Sequence, residues 1–455
     1  MAPFAGSLVC PVLVGRVAQV DLLLRLAERA WAGRGQTAVI GGEAGIGKSR
    51  LVAEVKARLR SRQEARGPAA LILQGRCFEP DRVLPYAPLL DLLQSFVASC
   101  PPERIATYLG VSAVEVGELL PQLSDFTPIS ASTGPAREIE QAMRLYHGLA
   151  QFFFRIAARQ PLLLVIEDVQ WSDDTSLDFL LYLARRIESL PIFLVLTCRS
   201  DVAHAGMARL LAALERERLA IECLLTRLSV DEVDAMVRAI FELGRPVRAE
   251  FLEALAGLTE GNPFFVEEIL KSLVTTGDIF FAQGAWDRKP LDELRIPRSV
   301  QVAVQQRLAG LSPPARHLLD LAAVAGRRFD FVLLQVLTQQ GEAELLAQVK
   351  ELIAAQLVVE ESAETFAFRH NLTRQAVYAA LLGRERRTLH YSLAAAMEHV
   401  YAGSLEAHLG DLAAHFWAAE VWDKVLAYAR RAAERAQALY APRAAIEHWT
   451  HALEA

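Results

Sequence analysis

Cysteine, long apolar runs and positive charge are all in short supply in this sequence, and each shortage excludes something. The five cysteines (Cys10, Cys77, Cys100, Cys198 and Cys223) are odd in number, scattered and never spaced as a C-x-x-C pair. Neither a disulfide framework nor a zinc site is therefore indicated, and a reducing cytosol is the expected setting. No run approaches about eighteen uncharged apolar residues, so no membrane-spanning segment is expected. Met1 to Val14 is apolar but lacks the basic n-region of a signal peptide, which points to a cytoplasmic location. The ten histidines form no H-E-x-x-H arrangement, which argues against a catalytic metal site. A net charge of −6 argues against a general nucleic-acid-binding surface, while leaving room for a small basic face. The basic run Lys56, Arg58, Arg60, Arg62 and Arg66 reads as a solvated helix end.

Apolar material is plentiful. Hydrophobic residues make up 53% of the 455 and charged residues 22%, enough for two to four packed domains. The first half alternates short apolar runs with amphipathic stretches, the pattern of parallel strands joined by crossover helices. Strands are expected at Thr37 to Ile40, Ala69 to Gln74, Leu162 to Ile166, Ile192 to Thr197 and Ala220 to Leu225. Helices are expected at Val20 to Trp31, Ser49 to Leu59 and Ile139 to Ala158. After about Leu228 helical periodicity takes over. Two short apolar stretches, Leu357 to Val359 and Phe366 to Phe368, read as the hairpin of a small winged-helix module. Pro297 and Pro313-Pro314 mark helix starts or breaks before it. From Leu389 to Ala455, aromatics among small alanines suggest stacked helical hairpins of a tetratricopeptide-like kind. The expected division is a P-loop NTPase core at 1–229, a helical lid at 230–292, a winged-helix domain at 293–388 and helical repeats at 389–455.

The chemistry begins at Gly42-x-x-x-x-Gly47-Lys48-Ser49, which follows an apolar run and opens a helical stretch. Glycines including Gly42, Gly45 and Gly47 let backbone N–H groups, such as that of Ile46, turn toward phosphates. Lys48 brings a point charge to the β and γ phosphates, and the Ser49 hydroxyl suits Mg²⁺. ATP or ADP with Mg²⁺ is the expected ligand. The strand Leu162 to Ile166 ends in Glu167-Asp168, the form of a Walker B strand. Glu167 is assigned to the Mg²⁺ shell and Asp168 to the attacking water, with the reverse assignment open. Trp171-Ser172-Asp173-Asp174 reads as a turn and helix cap, with Asp174 as the capping residue. Arg199, at the end of the strand Ile192 to Thr197, is placed where a cation would respond to the γ-phosphate.

Together these motifs resemble the signal-transducing ATPases with numerous domains, in particular MalT-like and large LuxR-type regulators with an origin-recognition-like AAA module. The resemblance implies that Val14, Gly15 and Arg16, within Leu13-Val14-Gly15-Arg16, contact the adenine. Family members commonly have an acidic residue next, where this chain has Val17. It also implies that Pro263, in Gly261-Asn262-Pro263-Phe264-Phe265, packs on the adenine side, and that His370, in Phe368-Arg369-His370, approaches the β-phosphate of ADP. The helical repeats would sense an inducer or protein partner, and nucleotide-dependent self-association would follow. No helix-turn-helix is visible, so DNA contact would need an output domain from elsewhere. The function so implied is a slow ATPase acting as an ADP/ATP-controlled switch within a transcriptional regulator. The alternatives are a cycling AAA-type motor or nucleic-acid loader, and a truncated nucleotide-binding protein without its output domain.

Overall fold

The structure, a computed structural model, describes residues 8–63, 70–78, 84–110, 116–117, 119, 138–200, 205–282, 285–289, 308 and 310–455. Pro297, Arg66, Ala69 and the boundary expected at 292/293 lie outside these residues.

The N-terminal part is a parallel sheet flanked by helices. Its elements are α1 (Val17–Trp31), β1 (Gln36–Gly42), α2 (Lys48–Gln63), β2 (Leu71–Arg76), α3 (Ala87–Ser99), α4 (Pro102–Leu109) and α5 (Glu138–Ala157). There follow β3 (Leu162–Glu167), α6 (Asp174–Ala184), β4 (Ile192–Arg199), α7 (Ala205–Arg216) and β5 (Ile221–Leu224). All five strands run parallel in the order β2-β3-β4-β1-β5. Because side chains alternate along a strand, each of the inner strands β1, β3 and β4 feeds two cores. Ala38, Ile40, Leu163, Val165, Phe193 and Val195 pack with α1 and α2 on one face. Val39, Leu162, Leu164, Ile166, Leu194 and Leu196 pack with α3, α5 and α6 on the other.

The register brings the functional strand ends to one edge. Gly42 lies opposite Arg199, Ile40 opposite Thr197, and Arg76 opposite Glu167. A ligand of an open α/β sheet binds at this carboxyl edge, where neighbouring crossovers leave in opposite directions.

A lid follows: α8 (Val230–Phe241), α9 (Ala249–Thr259), α10 (Pro263–Thr275) and the hairpin β6 (Ile279–Ala282) with β7 (Ala285–Arg288). Ser229 and Glu232 form a reciprocal capping box that fixes the start of α8. The lid core includes Val233, Phe241, Leu255 and Ile269, and the buried Cys10 joins it from the N-terminal segment.

The next unit comprises α11 (Pro313–Ala325), β8 (Arg328–Asp330), α12 (Phe331–Thr338), α13 (Glu342–Ala354), β9 (Val358–Glu360), β10 (Thr365–Phe368) and α14 (Asn371–Ala380). Its three strands pair antiparallel in the order β8-β10-β9. Pro313 stands at the start of α11, where its missing N–H costs no hydrogen bond, and Ser312 caps that helix. Phe329, Phe366 and Phe368 centre the core between sheet and helices.

Four more helices close the chain: α15 (Gly383–Val400), α16 (Leu409–Ala418), α17 (Trp422–Ala438) and α18 (Pro442–Glu454). Helix α15 runs across the boundary expected at 388/389. Phe416 stacks on Tyr428 at 5.7 Å while Ala429, Ala432 and Ala433 bring the backbones close, the large-against-small packing that alternation requires. This region folds back onto the core, where Arg443 pairs with Asp174 at 2.5 Å and Leu439 packs against the sheet's outer cluster. Among the described residues, no helix is long and apolar enough to cross a membrane.

Candidate functional site

Between β1 and α2 the loop needs a backbone that only glycine adopts freely. Gly42, Gly45 and Gly47 have φ of 152°, 78° and 104°. A Cβ on Gly42 would lie 2.9 Å from Ile46 Cγ2 and 3.0 Å from the Leu225 carbonyl, so packing forbids it. At Gly47 nothing lies within 4 Å of that position, so a side chain there would project into open space. Lys48 is buried, and its Nζ donates to the carbonyls of Gly42 (2.8 Å) and Glu43 (2.9 Å), curling over the loop. Phosphate oxygens would meet inward-facing N–H groups, the lysine and the N-terminus of α2 together.

A cavity of about 400 Å3 opens over this loop. Gly45, Gly47, Lys48 and Ser49 form its floor, Asp168, Trp171 and Arg199 one side, and Pro263, Phe264 and Glu267 of the lid another. The last wall comes from the three-stranded unit and carries Arg327, Arg369 and His370. Cations thus outnumber the carboxylates of Asp168 and Glu267, as a polyphosphate site requires. A second, narrower recess of about 30 Å3 shares Gly47, Arg50 and Pro263 with the cavity and is lined by Val12, Leu13, Val14, Arg16, Ile46 and Met236.

Each expected residue can now be placed. Lys48, Ser49, Asp168, Arg199, Pro263 and His370 share the cavity, and Val14, Arg16, Ile46 and Pro263 share the recess. Gly15 lines neither. Its φ is 69°, and a Cβ there would lie 2.3 Å from Glu232 Oε1, so it allows the N-terminal segment to pass under the lid. Arg16 is buried and donates to the Thr226 carbonyl, and burial lowers its pKa.

The two carboxylates at the end of β3 part company. Glu167 is buried away from the cavity, accepting from Gln74 Nε2, with Arg76 Nε 4.0 Å away. Its Oε2 is buried without a hydrogen-bond partner. Asp168 turns toward the P-loop through a left-handed backbone (φ 59°), its N–H donating to Thr197 Oγ1 at 2.9 Å. Ser49 and Asp168 line the cavity and are hard oxygen donors of the kind Mg²⁺ accepts, whereas Glu167, expected to serve the ion directly, does not line it. Among the described residues there is no cluster of three His, Cys, Asp or Glu side chains, so an ion here would depend on phosphate and water for its remaining ligands.

The lid meets the P-loop directly. Asn262 Nδ2 donates to the Ala44 carbonyl at 2.9 Å, and the same side chain caps α10 by accepting from Phe264 N. His370 stands at the head of α14 with its ring 4.6 Å from that of Phe264. Arg50, at the start of α2, holds the N-terminal segment through the carbonyls of Cys10 and Val12 and pairs with Glu267 at 3.6 Å.

The cap of α6 is Asp173, which accepts from Ser176 N at 2.9 Å from an extended backbone, whereas Asp174 is already helical and pairs with Arg209. Burial pushes the Asp173 carboxyl up to about 6 against the hydrogen bonds that lower it. Lys56 leaves the solvated face to donate to Gln74. Sequence reasoning missed Arg327 and Arg369, although Arg369 lies inside the segment already singled out for His370. Arg327 pairs with Asp168 at 3.4 Å, and burial lowers its pKa against the pull of Asp168.

Beside this wall lies an ion network. Arg328 reaches Glu361 (2.6 Å) and Asp91 (3.3 Å), Arg76 also pairs with Glu361, and Asp91 accepts from the Arg76 backbone N–H at 2.9 Å. It clips the β9–β10 turn to β2 and α3. Burial raises Glu361, but Arg76 and Arg328 more than offset this and hold it below the ordinary carboxylate value.

Residues 12–196 match the family model described as AAA ATPase domain. An uncharacterized protein of Rhizobium meliloti (strain 1021) is 26% identical over 419 residues, 89% of this chain and 39% of that protein. Among solved structures, a Signal Transduction ATPase with Numerous Domains (STAND) protein with a tetratricopeptide repeat sensor, from Pyrococcus horikoshii, superposes with a TM-score of 0.54 and 14% identity. The superposition covers 98% of this chain and 54% of that one. The Aeropyrum pernix ORC2 protein, in ADPNP-ADP complexes, aligns at a TM-score of 0.38 and 16% identity over 86% of this chain and 96% of that one. This chain spans about two fifths of the length of the curated relative and about half that of the STAND structure. It carries an AAA ATPase domain, and its fold is similar to that of a STAND ATPase.

Proposed function

We propose that this chain is a nucleotide-controlled switch that binds ADP or ATP with Mg²⁺ and hydrolyses ATP slowly. The carrying observation is convergence: the P-loop, the lid residues Pro263 and Phe264, and Arg369 and His370 of the three-stranded unit line one cavity. A nucleotide there touches all three modules, so its terminal phosphate weighs directly on how they are arranged. Such a device needs only different affinities of the two nucleotides for the closed and open arrangements.

In this reading ADP holds the lid and the three-stranded unit, taken as a winged-helix domain, against the core. ATP favours the open arrangement and self-association. Lys48 binds phosphate, and Ser49 and Asp168, which line the cavity, serve the Mg²⁺ shell, the reverse of the first assignment for the two carboxylates of β3. Arg199 responds to the γ-phosphate, while Val14, Arg16 and Pro263 embrace the base. The C-terminal helices, read as tetratricopeptide-like repeats, receive an inducer or protein partner. The output is transcriptional regulation of the MalT or LuxR type, with DNA contacted only through a domain outside these 455 residues.

The test compares wild type with Lys48→Ala by light scattering and hydrogen exchange in ADP, in ATP and without nucleotide. The reading expects nucleotide-dependent size and exchange in the wild type and their loss in the variant. A wild type that binds ATP yet shows the same size and exchange in every condition overturns it.

A further inference from the structure

We propose that Arg327 is a ligand for the terminal phosphate of a bound nucleoside triphosphate, delivered to the P-loop cavity by the three-stranded unit. The proposal rests on the nucleotide reading above and assigns a residue that no sequence motif covers.

Position comes first. Arg327 lines the same cavity as Lys48 and Ser49, and its Nη1 is 3.4 Å from Asp168 Oδ2 at the end of β3. In P-loop enzymes that strand end faces the γ-phosphate and the attacking water. Donor accounting comes second. A guanidinium offers five N–H groups in a fixed fork. Here the Nε is buried with no hydrogen-bond partner, and the contact to Asp168 is longer than the roughly 2.7–2.9 Å of a charge-assisted bond. Asp168 alone leaves this side chain under-satisfied. A guanidinium that lines a cation-rich cavity and keeps a buried, unsatisfied donor is best explained by an anion that enters and completes its partners.

Attachment comes third. The Arg327 carbonyl accepts from Phe368 N at 2.8 Å, tying it to β10, and the next residue, Arg328, is clipped to Asp91 and Glu361. The guanidinium therefore travels with the unit. ADP lacks the phosphate that Arg327 would grip, so by linkage this one contact favours the closed arrangement with a triphosphate and works against the opening that ATP drives in the reading above, setting a threshold on it.

The test is calorimetric titration of the full chain with Mg²⁺ and either ADP or the non-hydrolysable triphosphate AMPPNP, for wild type, Arg327→Ala and Arg327→Lys, alongside steady-state ATP hydrolysis. AMPPNP affinity should fall on the order of ten- to a hundredfold in Arg327→Ala, with ADP affinity changed less than about twofold and Arg327→Lys in between. Equal losses for both nucleotides, or none, overturn the proposal. So does unchanged affinity with faster hydrolysis, which would mean that Arg327 only restrains Asp168. If circular dichroism shows Arg327→Ala unfolded, Arg327→Gln, shorter and uncharged but still a donor, must show the same selective loss of at least about fivefold. A wild type that binds neither nucleotide overturns the nucleotide reading and the proposal together, whereas binding of both without selective loss in the variants overturns the proposal alone.

Discussion

The two sides of the cavity are built on different principles. Its floor is local: Gly42 to Ser49 is one continuous loop, shaped by glycine backbones and anchored between a buried strand and a helix. Its far wall, which carries Arg327, Arg369 and His370, is assembled at long range: Arg327 pairs with Asp168, the adjoining Arg328 with Asp91 and Glu361, and Glu361 with Arg76. A local wall can be disturbed only by deforming its own backbone, at a cost shared with the core. A long-range wall can be withdrawn as a unit by breaking a few partly solvated pairs. A binding floor should be stiff and a reporting wall removable, and the chain divides the cavity in that way.

That contrast can be tested from both sides, and the largest effect is expected at the floor. Gly47→Val places a side chain in the open space but at φ 104°, so ATP affinity in a filter-binding assay should drop on the order of a hundredfold, with backbone strain of roughly 1–3 kcal/mol in the loop. Unaltered affinity would remove the floor from phosphate binding. Gly261→Ala comes next. Its φ is 75°, and the added Cβ would sit 2.1 Å from the Leu228 carbonyl, so the lid should lose roughly 3 kcal/mol in urea melts or detach. A variant as stable as wild type would show that this lid entry yields.

Acid should separate the two halves. His390 and His415 are buried with their Nδ1 atoms 2.9 Å apart, and Tyr378 bonds His390 at 3.0 Å. Burial, together with His415, pushes His390 down from 6.5 to about 3, and burial lowers His415 as well. The unfolded chain therefore binds more protons between those values. The stabilisation is full above about pH 6.5 and is lost as pH falls toward 3, amounting to roughly 2 kcal/mol at pH 5 for His390. Hydrogen exchange at pH 5 should accelerate in α14 to α16 before it does in β1 and β3. The reverse order would break the comparison.

Glu361→Gln should weaken the clip by about 1–2 kcal/mol and make proteolysis near residues 360–370 faster and less dependent on salt than in wild type. Cleavage equal to wild type at low and high salt would show that shape, not charge, holds the wall. Arg58→Ala, which breaks the exposed pair with Glu54, is the low end of the scale, with a change below about 0.5 kcal/mol by thermal melt.

What the sequence discloses follows the same division. The strands of the sheet stand out because parallel strands buried on both faces are written as short apolar runs, and the P-loop because its residues are neighbours in the chain. His370 and Pro263 were reached through family resemblance, not periodicity. Arg327 and Asp91 were not legible: nothing local distinguishes an arginine that crosses to Asp168 from one that stays in solvent. The choice between Asp173 and Asp174 turned on one backbone torsion, finer than adjacent identical residues can reveal.

The return of the chain's last helices to the core also has a mechanical meaning. Arg443 sits on Asp174, and Asp174 opens the helix that leaves the end of β3. A pull on the C-terminal helices thus divides between two load paths: a long one through α15 and the three-stranded unit, and a short one through a single ion pair. The short path, which the Leu439 contact with the core supports, delivers its force a few residues from Asp168, and its exposed pair is the part that fails first. Modest tension would then register at the strand end before any module moves as a whole, making that pair a fuse between the helical tail and the nucleotide cavity.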